Sequence, residues 1–144
     1  MVDVFASIDR GILVDDPYPH LVVENALPGE VADTLLAAVP PVDVFLHGHE
    51  PGNNVRFALP SPRAFDHPDI AAEWKEALRV CVAALPALLD RTLSRFGDYI
   101  RRTYPEFERR FGPMSRLRVT PRHAPGQQPH EVRMDAQMVI NTPA

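Results

Sequence analysis

The residues best suited to chemistry in this 144-residue sequence are the histidines and carboxylates around His67. His67-Pro68-Asp69 places a histidine and an aspartate two positions apart, and His123 and Arg133 follow far downstream. Two histidines and one carboxylate form the ligand set that holds non-haem Fe(II), and an arginine suits a carboxylate co-substrate. The residue types therefore allow a metal site at His67, Asp69 and His123.

A helix predicted at this position argues against that metal site. In extended chain, residues i and i+2 lie on the same face and can share a metal ion. Asp66 is a plausible N-cap, with Pro68 and Asp69 in the first helical turn, and the shared face is lost once the helix begins. We therefore favour a capped helix start plus a loop histidine, and keep the site at His67, Asp69 and His123 as the alternative.

Three further positions have weaker chemical signatures. The stretch His47-Gly48-His49-Glu50 has a chelating spacing, but its glycine and the Pro-Gly pair that follows indicate a flexible, solvated loop. Cys81 lies among apolar residues at helical spacing, which favours a small core residue over a nucleophile. His20 precedes an apolar run and is interpreted as the first residue of a strand, bonded to backbone. Phosphate-binding loops, nucleophile elbows and paired cysteines are absent from the sequence.

The end of the sequence alternates between two faces without interruption over residues 132–141. This period of two predicts one half-buried strand. Gln137 and Asn141 share one face of it, with Asp135 two residues before Gln137. If that face lines a pocket, Gln137 and Asn141 are cofactor-binding candidates that hydrogen-bond a polar ligand. If it faces solvent, they are ordinary surface residues, and the sequence leaves both interpretations open.

Most of the elements that must position these residues are helices. We predict an irregular start over residues 1–20, a short strand in LVVENAL, a helix in PGEVADTLLAAVP, and a long loop with one brief strand over 42–65. A long amphipathic helix over 70–100 follows, kinked or divided by Pro86. A short helix in YPEFERRF, a strand in SRLRVT and a Pro/Gly-rich loop lead to the final strand. The predicted class is α+β, as a single partial domain with a mostly helical region (1–111) and the start of a β-structure (112–144).

Charge is distributed unevenly along the chain. Residues 1–50 hold nine acids and one arginine, whereas residues 91–133 hold ten arginines and four acids. Such an arginine-rich stretch is compatible with nucleic-acid binding. However, these arginines interleave with acids on the polar side of a predicted helix, and the net charge is −4. A solvated helix face is the better interpretation, and no nucleic-acid partner is expected.

The composition also bears on location. No apolar run approaches the roughly 18 residues needed to span a membrane, and the N-terminus lacks the basic start and apolar core of a secretory signal. The single cysteine excludes an internal disulfide framework and suggests a reducing compartment. We therefore expect a cytoplasmic protein without a membrane partner.

Three groups of motifs, in order, cover the chain from about Pro17 to Ala144. The first is DPYPHLVVENALPGEVADTLLAAVP, the second comprises NNVRFALP, the Trp74 helix and YPEFERRFG, and the third is DAQMVINTPA. Together they resemble the 2-oxoglutarate/Fe(II)-dependent oxygenases of the prolyl-hydroxylase-like type. The first group resembles the family's N-terminal strand and helix, and the second is similar to the helical support of a bacterial subgroup. The third is similar to the strand that leads to the HxD iron motif.

The resemblance implies a fold and an activity for the complete protein. The fold would be an N-terminal helical support followed by the first strands of an incomplete double-stranded β-helix (jelly-roll) core. Fe(II) and 2-oxoglutarate would be the cofactors, and the substrate a small molecule or peptide. In the family, the iron ligands and the 2-oxoglutarate-binding arginine come after the strand matched by residues 132–141. No position here corresponds to them, so neither cofactor is expected to be bound to this chain.

Two hypotheses remain open, of which only the first follows from the resemblance. The first is that the chain is the N-terminal portion of an oxygenase, inactive alone, whose strand 132–141 lacks a partner within the chain. The second is a non-catalytic helical module that docks through, or self-associates by, that exposed strand, because an unpaired strand edge is a template for β-augmentation.

Overall fold

The computed structural model describes residues 3–50, 52–53, 55–121, 125 and 128–141. The fold is mixed α/β, since helix accounts for 49% and strand for 17% of it, and the described strands form two-stranded sheets. Two compact units divide the chain. The first combines the described residues of Met1–Leu27 and Ala83–Met134, and the second those of Pro28–Val82 and Asp135–Ala144. Among the described ranges, no helix is both long and apolar enough to cross a membrane.

The elements alternate between short strands and helices. In chain order they are β1 (Ile12–Val14), β2 (His20–Val22), α1 (Gly29–Ala37), α2 (Val42–Leu46), β3 (Arg56–Pro60), α3 (Ser61–Asp66), α4 (Ala72–Ala83), α5 (Leu85–Thr103), α6 (Phe107–Phe111), β4 (Arg118–Pro121), β5 (Glu131–Met134) and β6 (Gln137–Asn141). Two 3₁₀ turns, Ala6–Arg10 and Met114–Arg116, complete the assignment.

The first unit contains two pairs of strands and the helices α5 and α6. β1 and β2 pair antiparallel, with Leu13 opposite Leu21, and β4 and β5 pair parallel, with Val119 opposite Val132. Helix α5 buries Leu89 against the hydrophobic core of this unit. The remaining members of that core are Met114 and Leu117, with Leu93, Ile100, Phe107, Val119, Val132 and Met134 packed around them.

Helices α1 to α4 and the β3–β6 pair form the second unit. β3 and β6 pair antiparallel in a register that runs from Arg56 opposite Asn141 to Pro60 opposite Gln137. The core of this unit consists of Val44, Phe45, Leu59, Ala64, Ile70, Trp74 and Leu78. Phe45 and Leu59 are 1% and 0% exposed, so the short elements α2 and β3 are fixed by burial.

Proline sets several helix boundaries, as the sequence predicts. Helix α1 begins directly after Pro28 and ends before Pro40. The long helix predicted over 70–100 is divided at Ala84, between α4 and α5, and Pro86 lies in the first turn of α5. Proline has no amide hydrogen for an intrahelical bond, but in the first turn none is required. The predictions of α1, of this division and of α6 are confirmed.

The prediction of one continuous, unpartnered strand over 132–141 is wrong. The segment is two strands, β5 and β6, separated by Asp135 and Ala136. β5 pairs with β4, and β6 pairs with β3, so both find partners among earlier residues of this chain. Val132 and Met134 pack in the core of the first unit, whereas Ala136 packs against the core of the second. A strict alternation does not reveal the break, because each half has the same period.

Three other predictions need correction. The irregular start over 1–20 contains the β1 strand and the first residue of β2, since backbone groups there pair with each other. The loop over 42–65 does contain one strand, β3, but also two short helices, α2 and α3, whose apolar residues are buried. Asp66 ends α3 instead of capping the next helix, which begins only at Ala72.

Candidate functional site

The His67–Asp69 stretch is a turn between two helices. The backbone N–H of Asp69 donates to His67 Nδ1 at 3.3 Å, and Lys75 Nζ donates to the His67 carbonyl at 2.6 Å. One ring nitrogen of His67 is thus already used to hold the turn. His123, the third member of the alternative metal site, lies outside the described residues. Within the described part of the chain, no three His, Cys, Asp or Glu side chains are grouped closely enough to hold a metal ion.

The other single positions behave as the sequence indicates. Residues 47–50 are exposed and follow α2, with positive φ angles of 49° at His47 and 81° at Gly48. His20 begins β2, and its Nδ1 donates to the carbonyl of Tyr18 at 2.8 Å. Cys81 is 9% exposed, and burial raises the pKa of its thiol. A loop tip, a strand-entry histidine and a core thiol are therefore confirmed as structural assignments.

One concave feature of the second unit is an open cleft beside α1, α4 and β6, which we name the α1–α4 cleft. Its volume is about 280 Å³. The residues that line it are Leu35, Leu36, Trp74, Leu78, Cys81, Ala136 and Gln137. All of these side chains are uncharged at neutral pH, and Gln137 contributes an amide to an otherwise apolar wall. A cleft of this composition suits a small ligand with an apolar body.

Helical spacing and burial position the walls of this cleft. Trp74, Leu78 and Cys81 lie on successive turns of α4 and are 4%, 6% and 9% exposed. Leu36 of α1, at 74% exposure, forms the open rim. The periodicity of α4 predicts its apolar face, but the same pattern is expected of an ordinary core helix. Sequence reasoning therefore missed Leu36 and Trp74 as cleft residues.

A hydrogen-bonded clamp fixes the start of β6, and with it Gln137. The Ser61 hydroxyl donates to Asp135 Oδ1, and the Ser61 N–H approaches Asp135 Oδ2 at 3.3 Å and the Ala136 carbonyl at 3.1 Å. Ser61 is 4% exposed, so these bonds are sheltered from water. The clamp joins the first residue of α3 to the two residues that precede β6.

Gln137 and Asn141 occupy opposite ends of β6. Gln137 lies on the α1–α4 cleft opposite Pro60, whereas Asn141 lies opposite Arg56, and both residues are exposed. Four residues along a strand span about 13 Å. A single small ligand in the cleft would reach Gln137 and not Asn141.

Several arginines of the first unit are engaged in ion pairs. Arg91 of α5 contacts Asp9 through Nε at 3.1 Å and also pairs with Asp3, and its side chain is only 19% exposed. The hydrogen bonds that Arg91 donates to the carboxylates of Asp3 and Asp9 raise the pKa of its guanidinium. Arg95 donates to the Gly11 carbonyl. These contacts tie the N-terminal residues to α5, so the solvated-face interpretation misses a structural role for Arg91 and Arg95.

The remaining ion pairs of this arginine-rich stretch are exposed pairs within or near helices. Arg101 pairs with Asp98 at 3.0 Å, and Arg109 pairs with Glu106. Arg133, which the sequence placed near the alternative metal site, is an exposed residue of β5 opposite Thr120.

No family model, no curated protein and no solved structure matches this chain.

Proposed function

We propose that this chain is the N-terminal portion of a 2-oxoglutarate- and Fe(II)-dependent, hydroxylase-like oxygenase. Its helices would support the first strands of a double-stranded β-helix. One observation carries the proposal, namely the order of elements. Strand β2, helix α1 and the prolines after it occur where the resemblance implies them, and the helices α4 to α6 precede the strands that would begin the β-core.

Iron and 2-oxoglutarate belong to this proposal as cofactors of the complete protein. The described residues do not fit the iron: they offer no group of three suitable ligands, and His67 already accepts a backbone hydrogen bond. We therefore assign no step of the reaction to the described residues. Within the proposal, the HxD motif, the second histidine and the 2-oxoglutarate-binding arginine come from residues beyond this sequence. The substrate is a small molecule or peptide, and the compartment is the cytoplasm.

The test is to read the gene past the codon for Ala144, express the extended chain and measure succinate formed from 2-oxoglutarate with Fe(II). We expect an HxD motif soon after that codon and turnover by the extended chain. Substitution of the motif's histidine by alanine should abolish turnover. The 144-residue chain, assayed in parallel, should form no succinate.

Two results would overturn the proposal. One is the absence of an HxD motif from every downstream reading frame. The other is turnover by the 144-residue chain itself. If His67→Ala abolished that turnover while His49→Ala left it intact, the metal site would be the one formed by His67, Asp69 and His123.

A second candidate function rests on the free edge of β6. Among the described strands, β6 has one neighbour, β3, and no described strand pairs with its other edge. In this alternative the chain is a non-catalytic module, and two copies pair edge to edge through β6. Sedimentation at increasing protein concentration should then detect a dimer in which exchange of the β6 amides is slowed. A monomer at all concentrations would eliminate this alternative.

A further inference from the structure

We propose that the α1–α4 cleft is a binding site for a small, neutral molecule with an apolar body and one hydrogen-bonding group. The apolar body would lie against Trp74 and Leu78, and the polar group would bond to the Gln137 amide at the mouth. The site lies within the second unit and requires neither iron nor 2-oxoglutarate. A test of this binding site is therefore independent of a test of the proposed oxygenase function.

The volume of the cleft sets the size of its occupant. The cleft has a volume of about 280 Å³ and is open to solvent at Leu36. Small-molecule sites begin near this size, at about 300 Å³. The cleft thus fits a compact ligand.

The lining residues set the charge of the occupant. The side chains that line the cleft are Leu35, Leu36, Trp74, Leu78, Cys81, Ala136 and Gln137, none of which carries a positive charge. A carboxylate transferred into such a wall would lose its hydration without gaining a cationic partner. A neutral amide or alcohol loses much less and can be satisfied by Gln137, which offers both a donor and an acceptor. Dicarboxylates such as 2-oxoglutarate are therefore not ligands of this cleft.

The architecture also provides two intrinsic reporters of occupancy. Trp74 is the single tryptophan of the sequence and lines the cleft. Cys81 is the single cysteine and lines the same cleft. A bound ligand displaces water next to the indole and blocks access to the thiol. Fluorescence emission and thiol alkylation should consequently change together.

The experiment uses the full chain in metal-free buffer with chelator, and hexanamide as the probe. Saturable changes in Trp74 emission and slower alkylation of Cys81 are expected with hexanamide. Hexanoate, which has the same alkyl chain but carries a charge, should bind at least about tenfold more weakly. 2-Oxoglutarate should have no effect.

Two matched pairs of variants test the assignment of residues. Gln137→Ala should weaken hexanamide binding about threefold to tenfold, as expected for one lost hydrogen bond, whereas Asn141→Ala, at the other end of β6, should not. Leu36→Ala should weaken it to a similar extent through lost apolar contact, whereas Val39→Ala should not. All four residues are exposed, so these variants should fold, and circular dichroism checks that they do.

Three results would overturn the proposal. The first is that hexanamide changes neither Trp74 emission nor Cys81 alkylation in the unmodified chain. The second is equal binding of hexanamide and hexanoate. The third is an apparent affinity that falls as protein concentration rises, which would mean that a second copy of the chain occupies the cleft. Ligand-observed NMR with the unmodified chain tests whether hexanamide binds, and it does not rely on any variant.

Discussion

Asp135→Ala is expected to destabilise the second unit by about 2–3 kcal/mol. The substitution removes a charged acceptor, and hydrogen bonds to charged groups contribute about 1.5–3 kcal/mol each. It also leaves the hydroxyl of Ser61, which is 4% exposed, without that acceptor. The Ser61 N–H loses less, because it also bonds the Ala136 carbonyl at 3.1 Å. The clamp should thus account for much of what holds β6 in register with β3.

The partner substitution completes a thermodynamic cycle. Ser61→Ala should cost about 1–2 kcal/mol, because the half-buried Asp135 carboxylate can recover part of its hydration. The double variant should cost little more than Asp135→Ala alone, which corresponds to a coupling energy of about 1–2 kcal/mol. Glu76→Ala is the matched control: its ion pair with Arg79 is exposed on both sides. That control should change the stability by less than about 0.5 kcal/mol.

Urea unfolding, monitored by Trp74 fluorescence, measures these changes in the free energy of unfolding, because Trp74 lies in the second unit together with Ser61 and Asp135. A loss of about 2 kcal/mol lowers the urea midpoint by about 1 M when the slope is about 2 kcal/mol/M. Amide exchange over β6 (Gln137–Asn141) should accelerate in Asp135→Ala and remain unchanged in Glu76→Ala. Additive effects of the two single variants, or an Asp135→Ala midpoint equal to that of the control, would refute the clamp.

Two further predictions concern other parts of the chain. Arg91→Met should release the N-terminal residues from α5, because Arg91 bonds both Asp3 and Asp9. Amide exchange over Ala6–Arg10 should then accelerate, whereas the exposed Arg102→Met should leave it unchanged; equal exchange in both variants would argue against the tie. The second prediction concerns pH. Because burial raises the pKa of the Cys81 thiol above its ordinary value of 9.0, the folded state retains the proton that the unfolded chain loses. This stability contribution is complete below pH 9.0 and is lost as the pH rises through the folded-state pKa. The stability difference between the natural chain and Cys81→Ala, measured by urea unfolding, should be constant below pH 9.0 and shrink above it; a constant difference up to pH 11 would contradict the assignment.

The contrast between correct and wrong predictions follows the range of the interactions involved. Helix α1, the division of the long helix near Pro86 and the burial of Cys81 were predictable, because each depends on residues within a few positions. The end of α3 at Asp66 was not predictable, because α3 packs Ala64 into the core of the second unit, against residues that are distant in the sequence. The cleft was also not predictable, since Leu36 and Gln137 lie far apart in the sequence.

The sequence by itself determined where α1 begins and ends, that the long helix divides near Pro86, which residues form apolar stripes, and that residues 132–141 are extended. Only the tertiary structure decided that this extended segment is two strands belonging to two units. Periodicity is a local property, and it is the same on either side of the break. The partner that fixes the break, Ser61, is 74 positions away from Asp135 along the chain. Such a hydrogen bond forms only after folding brings both residues together, and no alternation of residue types records it.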